Sequence, residues 1–390
     1  MFISRNKKIS PKLKIVLDFR SASVGGAIVI ESKEDRPKVI YTKRHYVETE
    51  MSFDQNVFIK KLIKSFDLVL KDIKEIGIKN NSKYQSENSV SEVFCCFSSP
   101  WYKLKLKNFN FTQDKKTKFT EKTLKNLLDK NNTEITSKEC LIENKILSVS
   151  LNDYEISNPF GKYFEKAKIS FYEGYISKKL SDLIIKKIED AFLPKKISLN
   201  SHPFVILSVI KNTFPSTDSF VLIDIGGETT DLSLYKNSVL KSVVTFPKGN
   251  NFFIRELIKK YKIEQKQIFS EIELFYDKNM NQEAFSEKIN FLNSLKDQYI
   301  SEISKFMEKK WINEITPGII FLTTDLQISE FTQSILKSKD FYFKTLKINS
   351  EPIIHIINQK NIPDLCLYQD DINKDPLISI IANFSNFLDN

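Results

Sequence analysis

The chain has 390 residues, of which 41% are hydrophobic and 28% are charged, and its formal net charge is +10 at pH 7. This length suits two or three domains, because one hydrophobic core rarely serves more than about 250–300 residues. The positive charge would suit a nucleic acid or an anionic membrane, but the lysines are scattered as doublets over helical patterns and no binding motif accompanies them. A specific nucleic-acid partner is therefore not expected.

The apolar runs and the cysteines indicate the compartment. The longest apolar run covers residues 203–210, far short of the roughly 20 residues that a membrane helix needs, so no direct membrane span is expected. The four cysteines show no CxxC spacing, which favours buried free thiols in a reducing environment. We therefore expect a cytoplasmic protein.

The first part of the chain has the pattern of an α/β lobe. A short apolar strand over residues 13–18 ends on Asp18 and is followed by a small-residue turn and two further strands. Apolar residues at helical spacing predict a helix over 56–74, and EVFCCFS (residues 92–98) predicts a buried strand. Residues 1–107 and 175–219 are assigned to this first lobe.

An inserted module separates the two parts of that lobe. Residues 108–174 are predicted to form a strand, a helix and two more strands, and the last two strands are separated by the turn residues 152–162. The second lobe is predicted at residues 220–262 and 316–390, and it again begins with a strand that ends on an aspartate, Asp224. Residues 263–315 are charged and almost free of Gly and Pro, which indicates a helical subdomain. The amphipathic segment at 376–388 is predicted to be a closing core helix.

The arrangement of strand, aspartate and turn thus occurs twice, at Asp18 and at Asp224. Two such strand ends facing each other can hold a nucleotide and Mg²⁺, because small turn residues let backbone N–H groups reach phosphate oxygens. The carboxylates would hold the hydrated Mg²⁺ through water. The alternative is an ordinary β-turn that leaves the acidic residues on the surface.

At these residues the chain resembles the actin-like ATPase superfamily, and within it the FtsA-type cell-division proteins and PilM-type pilus-assembly proteins. The resemblance lies in DIGGETTDLSLY (224–235), in LDFRSASVGGAIV (17–29) and in LNDYEISNPFGK (151–162). It implies an α/β, two-lobed, duplicated ribonuclease H-like ATPase fold with an inserted strand–helix–strand–strand subdomain.

The resemblance also implies roles for individual residues. Asp18 and Asp224 would bind Mg²⁺ through water. Ser21 and the turn at Gly226, Gly227, Thr229 and Thr230 would hold the phosphates of ATP. Asp231 would brace that turn by accepting backbone hydrogen bonds.

The chain departs from the family pattern at three places. Arg20 stands where the first loop normally has Gly, and it could either reach a phosphate or crowd the loop. Thr323, Thr324 and Asp325 replace a Gly-rich adenosine turn, although Asp325 could still bind a ribose hydroxyl. The helix before the second lobe begins with Asn-Ser-His-Pro and lacks a carboxylate to position water, which leaves His202 as a weak candidate base or an ordinary helix-start residue. ATP and Mg²⁺ binding are therefore expected to be weak or lost, and the protein to be at most a slow ATPase.

The resemblance favours a scaffold that lies next to the inner membrane through its partners. Those partners would be the cytoplasmic peptide of a membrane protein or a cytoskeletal polymer subunit, with self-association also open. Two alternatives are a small-molecule kinase or phosphohydrolase of the same fold and a filament-forming DNA-segregation protein.

Overall fold

The structure is a computed structural model, and it describes residues 13–32, 36–51, 54–81, 90–130, 137–156, 158–276, 286–312, 314–325, 328–357 and 365–387. The first twelve residues, and with them the start of the predicted first lobe, lie outside the described residues.

The first lobe begins with β-strands that are apolar on both faces. Its opening elements are β1 (Leu13–Phe19), β2 (Ser23–Ile30), β3 (Lys38–Tyr46), α1 (Gln55–Asp72) and β4 (Val90–Phe97). The Asp54 carboxylate caps α1 by accepting hydrogen bonds from the backbone amides of Asn56 and Val57, at 2.8 and 3.0 Å, which supplies partners for otherwise unpaired N–H groups.

The inserted module follows, and its strands are longer than the sequence predicted. It consists of β5 (Tyr102–Lys118), α2 (Glu121–Lys130), β6 (Glu139–Leu151), β7 (Tyr154–Glu155) and β8 (Tyr163–Ser177). The antiparallel strands lie in the order β5-β8-β6-β7. Strand pairing continues to Tyr102 opposite Ile176, so the sheet extends beyond the predicted bounds of 108 and 174. A small core around Phe119, Phe164 and Phe171 joins the sheet to α2.

The chain then completes the first lobe and builds the second. The remaining elements are α3 (Lys178–Phe192), β9 (Ile197–Ser201), α4 (His202–Thr213), β10 (Phe220–Ile225), β11 (Thr230–Lys236), β12 (Val239–Phe246), α5 (Asn250–Tyr261), α6 (Gln265–Tyr276), α7 (Ser286–Glu308), β13 (Ile319–Thr324), α8 (Ser329–Leu336), β14 (Ile353–Ile356), β15 (Leu367–Tyr368) and α9 (Pro376–Phe387).

Two mixed sheets form the centres of the lobes, in the orders β15-β3-β2-β1-β4-β9 and β12-β11-β10-β13-β14. Alternate residues of β1 point to opposite faces. Ile15, Leu17 and Phe19 pack with α1 and α3, whereas Val16 packs in a cluster with α4 and α9. That cluster also contains Phe220 and Phe321 from the second sheet. Helices α4 and α9 therefore lie between the two sheets.

The last part of the chain belongs to the first lobe, which corrects the assignment of 316–390 to the second lobe. β15 pairs in parallel with β3, and α9 packs against α4 and β1. The apolar face of α9, with Ile378, Ile381 and Phe384 buried, is covered in this position. The chain thus crosses from the second lobe back to the first before it forms α9, which is a core helix as predicted.

The helices of the predicted subdomain at 263–315 do not have a separate core. Residues of α6 and α7, among them Ile272 and Ile303, share one cluster with β10, β13 and α8 on the outer face of the second sheet. Among the residues that the structure describes, no helix combines the length and apolar character that crossing a membrane requires.

Phe164 tests whether the small core of the module stabilises it. Phe164 is fully buried, so Phe164→Ala should lower the free energy of unfolding of the module by about 3–5 kcal/mol, because a large cavity remains. Urea unfolding followed by circular dichroism measures this change. Phe160→Ala, at a side chain that is 45% exposed in the same module, is the matched control and should change stability by less than about 1 kcal/mol. Equal losses in the two variants would contradict the assignment.

Candidate functional site

The two strand-end aspartates lie in one buried group of charges between the lobes. Asp18 is the second-to-last residue of β1 and Asp224 the second-to-last residue of β10, and their side chains are buried. Burial would lower the pKa of Arg20, but the negative charges of Asp224, Asp325 and Asp18 raise it. All three carboxylates therefore lie within reach of the guanidinium charge. The two strand ends therefore converge, as the duplicated pattern predicted.

Arg20 makes the main contact across the cleft. Its Nη2 lies 2.6 Å from Asp224 Oδ1 and its Nε lies 3.3 Å from Asp325 Oδ1. The side chain is fully buried. Burial alone would lower the arginine pKa, but attraction to Asp224 and Asp325 outweighs it and holds the pKa above its ordinary value. Arg20 is thus a permanent cation between two carboxylates of the second lobe.

Asp224 is fully engaged by this arrangement. It accepts a hydrogen bond from Thr323 Oγ1 at 2.7 Å in addition to the Arg20 contact. Burial would raise its pKa, but the charge of Arg20 and the contact with His202 lower it below its usual value. Asp224 therefore stays ionised in the folded protein.

His202, the first residue of α4, uses both of its ring nitrogens in the cluster. Arg20 Nη1 lies 3.5 Å from His202 Nε2, and His202 Nδ1 lies 3.3 Å from Asp224 Oδ2. A guanidinium can only donate, so Nε2 accepts and the proton of the neutral ring is on Nδ1, which donates to Asp224. Burial lowers the pKa of His202, which keeps the ring neutral. His202 orients two charges and is not placed as a free base.

Asp325 lies at the end of β13 on the second side of Arg20. Burial raises its pKa, against the lowering effect of Arg20. Its Oδ1 contacts Arg20, while Oδ2 has no hydrogen-bond partner among the described residues. Asp325 borders a small cavity lined also by Ala22, Tyr46, Asn250 and Asn251. The cavity volume is about 10 Å³, about the space of one water molecule.

Asp18 pairs with a different arginine, Arg44, which the sequence analysis did not identify. Arg44 of β3 donates from Nη2 to Asp18 and from Nε to Asp375, both at 2.8 Å, and from Nη1 to Ser23 Oγ at 2.9 Å. Gly25 makes room for it, because a Cβ there would lie 2.6 Å from Arg44 Nη2. Arg44 lies opposite Gly25 in the pairing of β2 with β3, and the sequence alone does not give this register.

The two turns touch each other directly. Ser21 Oγ accepts a hydrogen bond from the backbone amide of Glu228 at 3.0 Å. A Cβ on Gly226 would lie 3.1 Å from Ser21 Oγ, and one on Gly227 would lie 2.8 Å from the Cβ of Ala22. The glycines thus permit close approach of the opposite turn, where the resemblance predicts phosphate oxygens.

The two threonines of the second turn serve the second lobe. The backbone oxygen of Thr229 accepts from the Gly226 amide at 2.9 Å. The Thr230 hydroxyl lies 2.9 Å from the Lys248 backbone oxygen and 2.6 Å from the Tyr299 hydroxyl. The side chain of Thr230 is therefore occupied within its own lobe.

These residues do not fit ATP and Mg²⁺ in this arrangement. Each aspartate predicted to hold the hydrated metal is paired with an arginine. The turns predicted to surround the phosphates are in contact, and the cavity beside Asp325 has space for about one water. Among the described residues, no group of three or more His, Cys, Asp or Glu side chains could hold a metal ion.

Asp231 joins the module to both lobes, and its role differs from the predicted one. It accepts hydrogen bonds from side-chain hydroxyls, those of Ser99, Tyr102 and Thr245, at 2.9, 2.6 and 2.6 Å. The prediction of backbone donors was wrong, because the strand pairing of β11 directs this side chain towards the start of β5. Burial raises the pKa of Asp231 to about 6, against the lowering effect of the three hydroxyls.

This pKa predicts a pH dependence of stability. The folded-state pKa lies above the ordinary value of 3.8, so the native state binds more protons than the unfolded state between these values. The contribution of Asp231 to stability is present at low pH and is lost as pH rises through about 6, by roughly 3 kcal/mol in total.

Urea unfolding of the parent and of Asp231→Asn between pH 4 and 7 measures this contribution. The amide cannot ionise, so the stability of the variant should fall less over this range than that of the parent. Thr245→Val, which removes one donor but keeps the carboxylate, is the control and should retain the pH dependence. Parallel pH profiles for the parent and Asp231→Asn would contradict the assignment.

Comparisons with known proteins identify the fold. No family model and no curated protein matches the chain. Among solved structures, the PilM–PilN type IV pilus biogenesis complex is similar at a TM-score of 0.58 and 11% identity, covering 96% of this chain and 96% of that chain. The ethanolamine utilization protein EutJ from Carboxydothermus hydrogenoformans is similar at a TM-score of 0.46 and 9% identity, covering 97% and 90%.

A third similar structure is a protein of unknown function from Bacteroides thetaiotaomicron, described as having an actin-like ATPase fold, with a TM-score of 0.39 and 10% identity over 98% and 99% of the two chains. Identities of this size concern the fold alone. The α/β chain with its two sheets and inserted module has the actin-like ATPase fold, as the resemblance of its two turns predicted.

Proposed function

We propose that this protein is a scaffold of the PilM kind, which recruits a partner to the inner face of the cytoplasmic membrane in pilus assembly and does not turn over ATP. The observation that carries the proposal is Arg20, which lies between Asp224 and Asp325 at the convergence of the two strand ends. A group that pairs these carboxylates within the protein competes with a metal ion for the same oxygens.

The chemistry of the cleft argues against a kinase or phosphohydrolase. Such an enzyme needs a carboxylate or histidine that is free to take a proton or position water. Here Asp18 and Asp224 are paired with arginines, Asp231 accepts three hydrogen bonds, and His202 uses both ring nitrogens. Asp325 has one oxygen without a partner among the described residues, but its other oxygen contacts the Arg20 cation. A binding role therefore accounts for this site better than catalysis does.

The inserted module is the part that we assign to partner recruitment. Its far end carries three exposed aromatic side chains, Tyr154, Phe160 and Tyr163, with 76%, 45% and 59% of their surface exposed. Aromatic residues are enriched at protein interfaces, since they bury a large area with few rotatable bonds. The similar structure of PilM was solved together with PilN, and by analogy we propose that the partner is a cytoplasmic segment of a membrane protein.

Helix α9 supports membrane proximity through a partner. Its apolar residues, Ile378, Ile381 and Phe384, are in the core with α4, so this face is not available to lipid. Recruitment through a protein segment is consistent with that packing, and we prefer it over an FtsA-type role with a cytoskeletal polymer.

A nucleotide assay tests the first half of the proposal. Calorimetry with ATP and Mg²⁺ should give weak or no binding, and phosphate release should stay far below the roughly 1–100 s⁻¹ of kinases. Because Arg20→Gly removes the competing cation and restores the glycine that the family resemblance implies, it is the matched variant for detecting a latent site. A sub-micromolar dissociation constant for the parent, or turnover of several per second, would contradict the proposal.

Cross-linking tests the recruiting surface. The parent and a Tyr154→Ser, Tyr163→Ser double variant would be incubated with membrane fractions of the source cell, cross-linked and compared by mass spectrometry. We expect a bitopic membrane protein that cross-links to the module of the parent, with recovery reduced at least about tenfold in the variant, because aromatic anchors dominate interface energies. Leu193→Ser, at a side chain that is 82% exposed at the end of α3 and outside the module, is the control. Equal recovery of the membrane protein with the double variant and with Leu193→Ser would exclude the aromatic end of the module as the recruiting surface.

A further inference from the structure

We propose that Arg20 is a built-in cation that closes the cleft without a ligand and thereby fixes the orientation of the inserted module. In the actin-like pattern a bound metal and nucleotide lie between the strand-end carboxylates. Here one side chain of the first lobe contacts two carboxylates of the second lobe, at 2.6 and 3.3 Å. The cleft is therefore closed by a side chain of the protein and not by a bound ligand.

The geometry makes Arg20 difficult to withdraw. Its side chain is fully buried, and Asp224 is only 4% exposed. Separating the lobes would leave the guanidinium and two carboxylates without their partners until water enters, which is costly for buried charges. Ser98 and His202, at 3.4 and 3.5 Å from Nη1, hold the remaining side of the guanidinium from the first lobe.

A second row of contacts closes the cleft beside Arg20. Arg255 donates from Nε to the backbone oxygen of Glu50 at 2.6 Å. The Thr49 amide donates to Gln265 Oε1 at 2.9 Å, and the Thr49 hydroxyl donates to Asn251 Oδ1 at 3.0 Å. All of these contacts join the segment that follows β3 to helices α5 and α6, and protein groups alone supply them.

One buried connection links the charge cluster to β6 of the module. His202 contacts Arg20 and Asp224, and its neighbour Ser201 contacts the module. Ser201 donates from its amide and its hydroxyl to the Glu143 carboxylate, at 3.0 and 2.6 Å. Tyr172 of β8 donates to the same carboxylate at 2.6 Å.

Asp231 provides a second connection, to β5. Its partner Tyr102 is the first residue of that strand, and Ser99 precedes the strand by three residues. Asp231 lies directly opposite Asp224 in the β10–β11 pair. The two edges of the module's base thus lie beside the Arg20 contacts. Separation of the lobes would break the Asp231 contacts with Ser99 and Tyr102, and it would remove Asp224 from His202, the neighbour of Ser201.

Arg44 offers a matched comparison within the same region. It is also buried and pairs with two carboxylates, those of Asp18 and Asp375. Asp375 caps α9, where it accepts from the amides of Leu377 and Ile378 at 3.0 and 3.2 Å, and α9 packs on the first sheet. Loss of Arg44 removes the same charge from a side chain that is 8% exposed, and its ion pairs with Asp18 and Asp375 lie within the first lobe. Arg44 also attracts Asp325 of the second lobe, but more weakly than Arg20 does.

Hydrogen exchange followed by mass spectrometry tests, in the full chain, whether the Arg20 contacts hold the two lobes together. In Arg20→Met, peptides over residues 98–102, 200–203 and 224–231 should exchange at least about tenfold faster than in the parent, because the uncompensated carboxylates favour opening. In Arg44→Met, faster exchange should be largest in β1, β3 and α9, which carry Asp18, Arg44 and the helix that Asp375 caps. Addition of millimolar ATP and Mg²⁺ to the parent should change none of these rates.

Three results would overturn the proposal: unchanged exchange of the cleft peptides in Arg20→Met, the same exchange pattern in both variants, or strong protection of the parent by ATP and Mg²⁺. Arg20→Lys keeps the positive charge and should exchange at a rate between those of the parent and Arg20→Met. Arg20→Lys also serves as the test if Arg20→Met does not fold. Exchange rates equal to those of the parent at every cleft peptide in Arg20→Lys would show that the contact of Arg20 with both Asp224 and Asp325 is not required. The Arg20 contact between the lobes does not depend on the identity of the partner. A failed cross-linking experiment would therefore not affect the result of this test.

Discussion

The buried contact of Arg20 with Asp224 and Asp325 is the interaction on which the relation of the two lobes depends. A pair of buried charges gains little net stability, because desolvation offsets most of the attraction. Loss of one partner is costly, however, since the other charge then remains in the interior. Such a contact therefore specifies an arrangement more strongly than it stabilises the fold. Here it specifies a closed cleft, and it does so at the point where the resemblance to actin-like ATPases places a metal and phosphates.

The remaining features of the cleft are consistent with that constraint. Asp18 is paired with Arg44, burial lowers the pKa of His202 beside Arg20 and Asp224, and the two turns meet through Ser21 and Glu228. Helices α4 and α9 fill the space between the two sheets with apolar side chains, so charged and apolar contacts favour the same closed arrangement. The strand–aspartate–turn pattern is thus present twice, but each of its aspartates is paired with an arginine.

The base of the inserted module is held by two buried polar groups in addition to its apolar packing against the first lobe. Glu143, Tyr172 and Ser201 form one buried group, and Asp231, Tyr102 and Ser99 form another. Buried polar groups require matched partners, and hydrogen bonds have narrower distance and angle limits than apolar contacts do. Each group adjoins the charge cluster along the chain: Ser201 precedes His202, and Ser99 follows Ser98, which contacts Arg20. The module's exposed aromatic end is thus carried by a base whose orientation is set in the cleft.

The sequence by itself determined the strands that end on Asp18 and Asp224, the Gly-rich second turn, the existence of the inserted module and the start of α4 at His202. These depend on local apolar patterns and turn residues, which neighbours along the chain reveal. It also indicated, through Arg20 and Asp325, that the nucleotide site departs from the family pattern.

Only the tertiary structure decided which cation each carboxylate takes. Arg44 is 26 residues from Asp18, and Asp325 is 305 residues from Arg20. It also decided the return of β15 and α9 to the first lobe and the hydroxyl partners of Asp231. These features depend on pairings between distant segments, and no local pattern in one sequence specifies which buried charges will meet.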